Sequence, residues 1–268
     1  MGQFETDTAV TKIADNRWTA TCQRGWRIGS TMNGGYVLSL MARALREALP
    51  HRDPLSINAF YFSPCVLGEC EIEVETLKEN RGTSFGSASL FQDGELKVRA
   101  TAAYTDIDRL RGETWVNNTP PAVPAFEDCA HSSAHSLEIH ERVDMRLIEG
   151  QGVFTGEPPS KSGEFVAWLQ HRDGAPSDTI DLAMWADIMP PPPFTLFGPF
   201  GWVPTIELTV QCRKKPAPGP VIGRLTSRHL TNGIIESDSD LWDSDGQLIG
   251  LARQTMKVKL PSNPQSRE

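Results

Sequence analysis

Asp187 and Gln254 are the residues whose types fit worst with their neighbours, and a polar group held on an apolar face is a candidate for chemistry. Asp187 lies in a segment, Ile180 to Met189, that is otherwise apolar except for Asp181. At helical spacing it shares a face with Ile180 and Ala183. A carboxylate near a helix C-terminus gains nothing from the helix dipole, and on an apolar face it must be hydrogen-bonded or carry a desolvation cost. Such a group either caps loop amides around the prolines at 190–193 or works as an acid or base in a pocket. Gln254 repeats the anomaly on a strand, because alternation through Ala252, Gln254, Met256 and Val258 puts its amide on the apolar face. A buried amide needs partners, either backbone groups or a second working side chain.

Other chemical signatures are weak. Gly82-Thr83-Ser84-Phe85-Gly86 has the letters of a nucleophile elbow but lies between two strand patterns, where that turn is not built. There is no P-loop, HExxH or GxGxxG. His131, His135 and His140 come close together, but one strand or turn does not bring all three to a zinc geometry, so neither metal nor cofactor is expected. The acidic run from Glu236 to Asp245 lacks the spacing and final glutamate of a calcium loop and reads as a solvated strand and turn.

Around these residues the periodicity defines the elements that must hold them. Gly34 to Leu49 carries apolar residues at helical spacing, with Asn33 placed to cap its first turn and Pro50 to stop its last. The period then changes to two, predicting strands over 56–63, 70–79, 83–92 and 95–105, with Asp93-Gly94 as a hairpin. Residues 106–134 lose periodicity and read as a crossover. Strands are expected again near Ala134 and over 163–172, a helix over 178–189, and strands over 203–214, 221–231, 234–242 and 247–259. The hairpin Asp93-Gly94-Glu95-Leu96 returns as Asp245-Gly246-Gln247-Leu248, an offset of 152 residues. With the matched order of elements, this predicts a duplicated α+β architecture. By that offset Gln254 answers to Ala102, so one copy carries the polar group and the other does not.

Composition bounds the function. The 268 residues are 39% hydrophobic and 22% charged, which suits a folded globular chain rather than a disordered one. A net charge of -8 disfavours nucleic acid as a partner, and no run of 18 apolar residues predicts a membrane span. Five widely spaced cysteines without a CxxC pair, and no secretory run at the N-terminus, lead us to expect reduced thiols in a cytoplasmic protein.

Taken in order along the chain, several short motifs resemble the acyl-CoA thioesterase II group. They are Asn33-Gly34-Gly35-Tyr36, Phe60-Tyr61-Phe62-Ser63-Pro64, Val74-Glu75-Thr76-Leu77, Arg81-Gly82-Thr83-Ser84-Phe85 and Phe91-Gln92-Asp93-Gly94 in the first half. Pro204-Thr205-Ile206-Glu207, Asp245-Gly246-Gln247-Leu248 and Ala252-Arg253-Gln254 continue it in the second. The resemblance implies a double hotdog, two antiparallel sheets each wrapped around a long helix, with domains over 1–110 and 135–268 and a linker over 111–134. It implies hydrolysis of an acyl-CoA to a free acid and coenzyme A, in a homo-oligomer, by a water positioned by Asp187, Thr205 and Gln254. A non-catalytic acyl-binding protein of the same fold is the alternative. Thr205 enters through the resemblance alone, since simple alternation turns it away from Ile206, Leu208 and Val210 unless a bulge or the strand start re-aims it. The sequence departs from the group at Glu207-Leu208, where an aspartate-histidine pair is usual, at Asn58 in place of a histidine, and at Ser63 in place of an arginine. Trp185, Met184, Phe194 and Phe197 are candidate walls of an acyl channel, and Arg213, Lys214 and Lys215 either attract the phosphates of coenzyme A or form a solvated turn.

Overall fold

The computed structural model describes residues 2–131 and 137–260. The first half runs α1 (Gln3–Asp7), β1 (Thr11–Ala14), β2 (Arg17–Cys22), β3 (Arg27–Ile28), β4 (Thr31–Met32), α2 (Gly34–Ala48), β5 (Asp53–Tyr61), β6 (Gly68–Glu79), β7 (Ser84–Gln92) and β8 (Glu95–Thr105). The second runs β9 (Val143–Glu149), α3 (Gly152–Thr155), β10 (Glu164–His171), α4 (Asp181–Asp187), α5 (Pro193–Phe197), β11 (Thr205–Cys212), β12 (Val221–Thr226), β13 (Leu230–Thr231), β14 (Ile234–Trp242) and β15 (Leu248–Lys257). The first strand expected near Ala134 is described only from Val143, and 132–136 lie outside the described residues.

Among the described residues one antiparallel sheet of thirteen strands takes in both halves, in the order β1-β2-β6-β7-β8-β5-β11-β15-β14-β12-β10-β9, with β13 paired to β14. Read outward from the β5–β11 seam, the two halves have the same order when each is counted by its own elements. Even the irregularities repeat: the register slips between Pro54 and Ser56 against β8, and between Thr205 and Glu207 against β15. The expected pair of sheets is therefore joined, because β5 and β11 each stand at the facing edge of their half and satisfy one another's free backbone groups, Leu208 opposite Ala59.

Local chemistry explains the helices. Asn33 Oδ1 accepts the Tyr36 N–H at 2.9 Å, capping α2, whose apolar face buries Tyr36, Val37, Leu40, Met41, Ala44 and Leu45. Each such large side chain contributes roughly 1.5–3 kcal/mol by leaving water. α4 has seven residues, not the twelve expected over 178–189, so among the described residues only the first half has a long helix. At its start Asp178 accepts the Ile180 N–H at 2.5 Å, and at its end the proline run 190–193 supplies no donors. Both helices lie on one face of the sheet and pack against each other. Gly35 permits this: a Cβ there would run into the Ala183 carbonyl and stand 3.0 Å from Asp187 Cβ.

The crossover is more than a connector. Val123, Phe126 and Cys129 pack on Val166, Trp168, Ile222 and Trp242, covering the outer face of the second half, and Trp168 Nε1 donates to the Pro124 carbonyl at 3.0 Å. All five cysteines carry free thiols. Among the described residues no helix is long and apolar enough to cross a membrane.

Candidate active site

The antiparallel packing of α2 and α4 brings the C-terminus of the second helix to the N-terminus of the first. Asp187 ends α4 and there meets the first turn of α2: its Oδ2 accepts the Gly35 N–H at 2.9 Å and the Asn33 amide at 3.0 Å. Its Oδ1 accepts from Gln254 Nε2 at 2.6 Å, and the same nitrogen donates to Thr205 Oγ1. The three residues singled out from the sequence thus meet in one place. Thr205 reaches it through the slip in β11, which sets it opposite Met256 and turns Ile206 outward to 37% exposure. Gln254 comes from the inner face of β15, as alternation requires, and is buried.

In the first half Ala102 answers to Gln254 by the hairpin offset, and Pro54 answers to Thr205 by register, since it stands opposite Tyr104 as Thr205 stands opposite Met256, each just before the slip. The duplication therefore carries this hydroxyl and amide once.

Burial pushes the Asp187 carboxyl up to about 6, while the Gly35 amide, Gln254, the Gly34 amide and Asn33 pull it back down. Tyr61 closes the site from β5. Its hydroxyl donates to the Gly34 carbonyl at 2.9 Å, and burial holds it well above the usual phenol range. If the ionised form of Asp187 is the working one, hydrolysis falls about tenfold per pH unit below about 6 and levels off above it. Stability moves the other way. The folded state holds this proton more tightly than the unfolded chain, so the group's contribution is full below about 4 and lost as pH rises through about 6. A rate profile flat from pH 5 to 8, with chemistry shown to be rate-limiting, would contradict the assignment.

All three residues line a cavity of about 320 Å³ between the halves. That volume lies in the range of small-molecule sites. Its apolar walls come from Val37, Leu137, Ile139, Leu147, Phe154 and Phe194, with four methionines, Met32, Met145, Met189 and Met256. Phe62 and Trp202, 59% and 46% exposed, stand where the lining reaches solvent.

Of the four expected wall residues only Phe194 is in this lining. Met184 and Trp185 are fully buried in the core, where Trp185 packs on the His171 ring at 4.6 Å, and Phe197 is 41% exposed. They sit on faces of α4 and α5 turned away from the cavity, which periodicity cannot tell from the facing side. The basic triplet follows the far end of β11, seven residues and about 23 Å of strand from Thr205. There Arg213 donates to the Cys212 carbonyl and Lys215 pairs with Asp108, so neither attends the cavity.

The remaining sequence candidates are structural. Ser84 is fully buried with its hydroxyl 3.0 Å from His51 Nδ1. His131 bonds Asp144, while His135 lies outside the described residues. The acidic run pairs with Arg224, Arg228 and Arg253, and Asp243 accepts turn amides of Asp245 and Gln247. At the divergent positions Asn58 donates to Glu207 and to Thr209 on the outer face of the seam, Leu208 is core, and Ser63 donates to Glu95. Sequence reasoning missed Asn33 and Tyr61 as site residues, although both stand in motifs that carried the resemblance.

Comparison with solved structures defines the class first. A hot-dog-fold protein from Alicyclobacillus acidocaldarius superposes with a TM-score of 0.88 at 20% identity, covering 97% of this chain and 99% of that one. An acyl-CoA thioesterase II from Mycobacterium marinum does so at 0.72 and 14%, covering 97% and 99%. The fold is the hotdog. Family models then match both halves, the acyl-CoA thioesterase N-terminal domain over 22–105 and the acyl-CoA thioesterase C-terminal domain over 118–258. The chain belongs to the acyl-CoA thioesterase family and is a thioester hydrolase. A Thermobifida fusca structure provisionally named thioesterase II is 27% identical, with a TM-score of 0.89 over 97% of this chain and 98% of that one. An uncharacterized protein of Mycobacterium tuberculosis is 24% identical over 261 residues, 87% of this chain and 88% of that protein.

Proposed function

We propose that the protein hydrolyses an acyl-CoA with a water activated by Asp187 and held by Thr205 and Gln254. The observation that carries this reading is the contact of acid, amide and hydroxyl on the wall of one apolar cavity. Thr205 Oγ accepts from Gln254, so its own proton is available to the water oxygen. The water gives one proton to Asp187 and adds through its other lone pair to the thioester carbonyl carbon. The tetrahedral oxyanion then collapses, the C–S bond breaks, and the thiolate of coenzyme A leaves with the proton returned from Asp187. The positive end of the fifteen-residue α2 lowers the cost of negative charge at this point. The acyl chain occupies the apolar walls, and coenzyme A extends past Phe62 and Trp202 to solvent.

The same reading divides the chain into hotdog domains over 1–110 and 135–268 with a linker over 111–134, each domain built around its own helix, and sets it in the cytoplasm as a homo-oligomer. Turnover across acyl-CoAs of graded length, with binding of non-hydrolysable analogues, tests it. Thr205→Val and Gln254→Ala are expected to lower turnover more than they weaken analogue binding, and to combine to less than the product, because both act on one water. Binding of the analogues without hydrolysis of any matching ester would favour an acyl-binding protein instead.

A further inference from the structure

We infer that Asn33 is a positioning residue for the hydrolytic carboxylate, holding Oδ2 of Asp187 so that Oδ1 is the oxygen that takes the water's proton. This rests on the reading of Asp187 as the base.

Asn33 is 2% exposed and every polar atom of its amide is engaged. Its Oδ1 accepts the Tyr36 N–H at 2.9 Å, and its Nδ2 donates to the Asp187 carbonyl at 2.9 Å and to Asp187 Oδ2 at 3.0 Å. One side chain thereby starts α2, closes an orphan carbonyl at the end of α4 and fixes one oxygen of the carboxylate. With the Gly35 N–H on the same atom, Oδ2 has two donors from the first half, whereas Oδ1 faces Gln254 and Thr205. Helix capping alone does not call for asparagine, since serine and aspartate cap about as well. What asparagine adds is an acceptor and a donor in one short side chain.

The groups facing Asp187 are otherwise neutral in this range. α2 presents Asn33, Gly34 and Gly35; β5 presents Tyr61, whose burial keeps its phenol protonated; β11 presents Thr205 and β15 Gln254. On β14, Ser239 donates to the Ala186 carbonyl at 3.4 Å. Among the described residues no lysine or arginine is hydrogen-bonded or ion-paired to Asp187. His140 also lines the cavity, so an acidic limb that survives His140→Gln reports this carboxylate.

The test compares pH profiles of kcat and kcat/KM, with thermal melts, for the unmodified protein, Asn33→Ser and Asn33→Asp on one acyl-CoA. Serine keeps the cap but does not reach Oδ2, so the acidic limb should move up by about one pH unit. Aspartate keeps the cap and sets a second carboxylate against Oδ2, which should move the limb up by about 1–3 units and cut kcat at pH 7 about tenfold or more. Both variants lose the donor to the Asp187 carbonyl, so melting temperatures should fall by several degrees, and kinetics are read per folded molecule. A pure capping role predicts unmoved limbs and unchanged kcat in both variants, and that result would overturn the inference. Should Asn33→Asp fail to fold, the limb of Asn33→Ser decides. Asp187→Asn separates the two levels: hydrolysis retained there defeats the base itself, whereas hydrolysis lost there with unmoved Asn33 limbs defeats only this inference.

Discussion

Asp187→Asn is expected to lower acyl-CoA hydrolysis by about 10²–10⁴-fold, the usual range for removing a general base, in a protein that still folds. The substitution keeps size and hydrogen-bonding capacity but cannot take a proton. It leaves an oxygen for Asn33 and Gly35, and places an NH₂ toward Gln254, whose amide can turn to accept it. Loss of the buried charge also removes the desolvation that raises this carboxyl, so the melting temperature at pH 7 should hold or rise. A purely structural Asp187 would give the opposite pattern, a lower melting temperature with near-normal turnover per folded molecule. Kinetics and melts on one preparation separate the two.

Gly35→Ala should injure both stability and catalysis. The added methyl meets the Ala183 carbonyl, which is backbone and cannot swing aside, and crowds Asp187 Cβ at 3.0 Å. Overpacking of this kind costs about 1–3 kcal/mol, enough to lower Tm by several degrees in a chain of this size. Because the same residue donates to Asp187 Oδ2, any parting of α2 from α4 also moves the carboxylate away from Gln254 and Thr205. Gly82→Ala is the control, since nothing lies within 4 Å of a Cβ there. Equal melts and equal turnover for the Gly35 and Gly82 variants would show that the helices do not depend on this contact.

The two predictions act on one contact in different ways, the first on its chemistry and the second on its distance. Together they separate a site that fails because a proton has nowhere to go from one that fails because its parts have moved.

What could be read along the chain was whatever a short-range pattern enforces. Asn33 before an apolar stripe makes a capped helix, alternation makes strands, and Asp-Gly makes hairpins, because each depends on backbone geometry within a few residues. The duplication was visible for the same reason, as a repeated local pattern. Asp187 and Gln254 stood out because a polar group on an apolar face is costly unless it has a partner, and the cost shows even when the partner does not. Only the tertiary structure supplied the partners. Asn33 and Asp187 are separated by 154 positions, and nothing near either one encodes the distance between them. Likewise the slip that aims Thr205 is set by its pairing with β15, and the joining of two half-sheets by the meeting of β5 with β11. Periodicity tells which face of α4 is apolar, but not that Trp185 packs against His171 while Asp187 looks into a cavity: that depends on what each face is packed against.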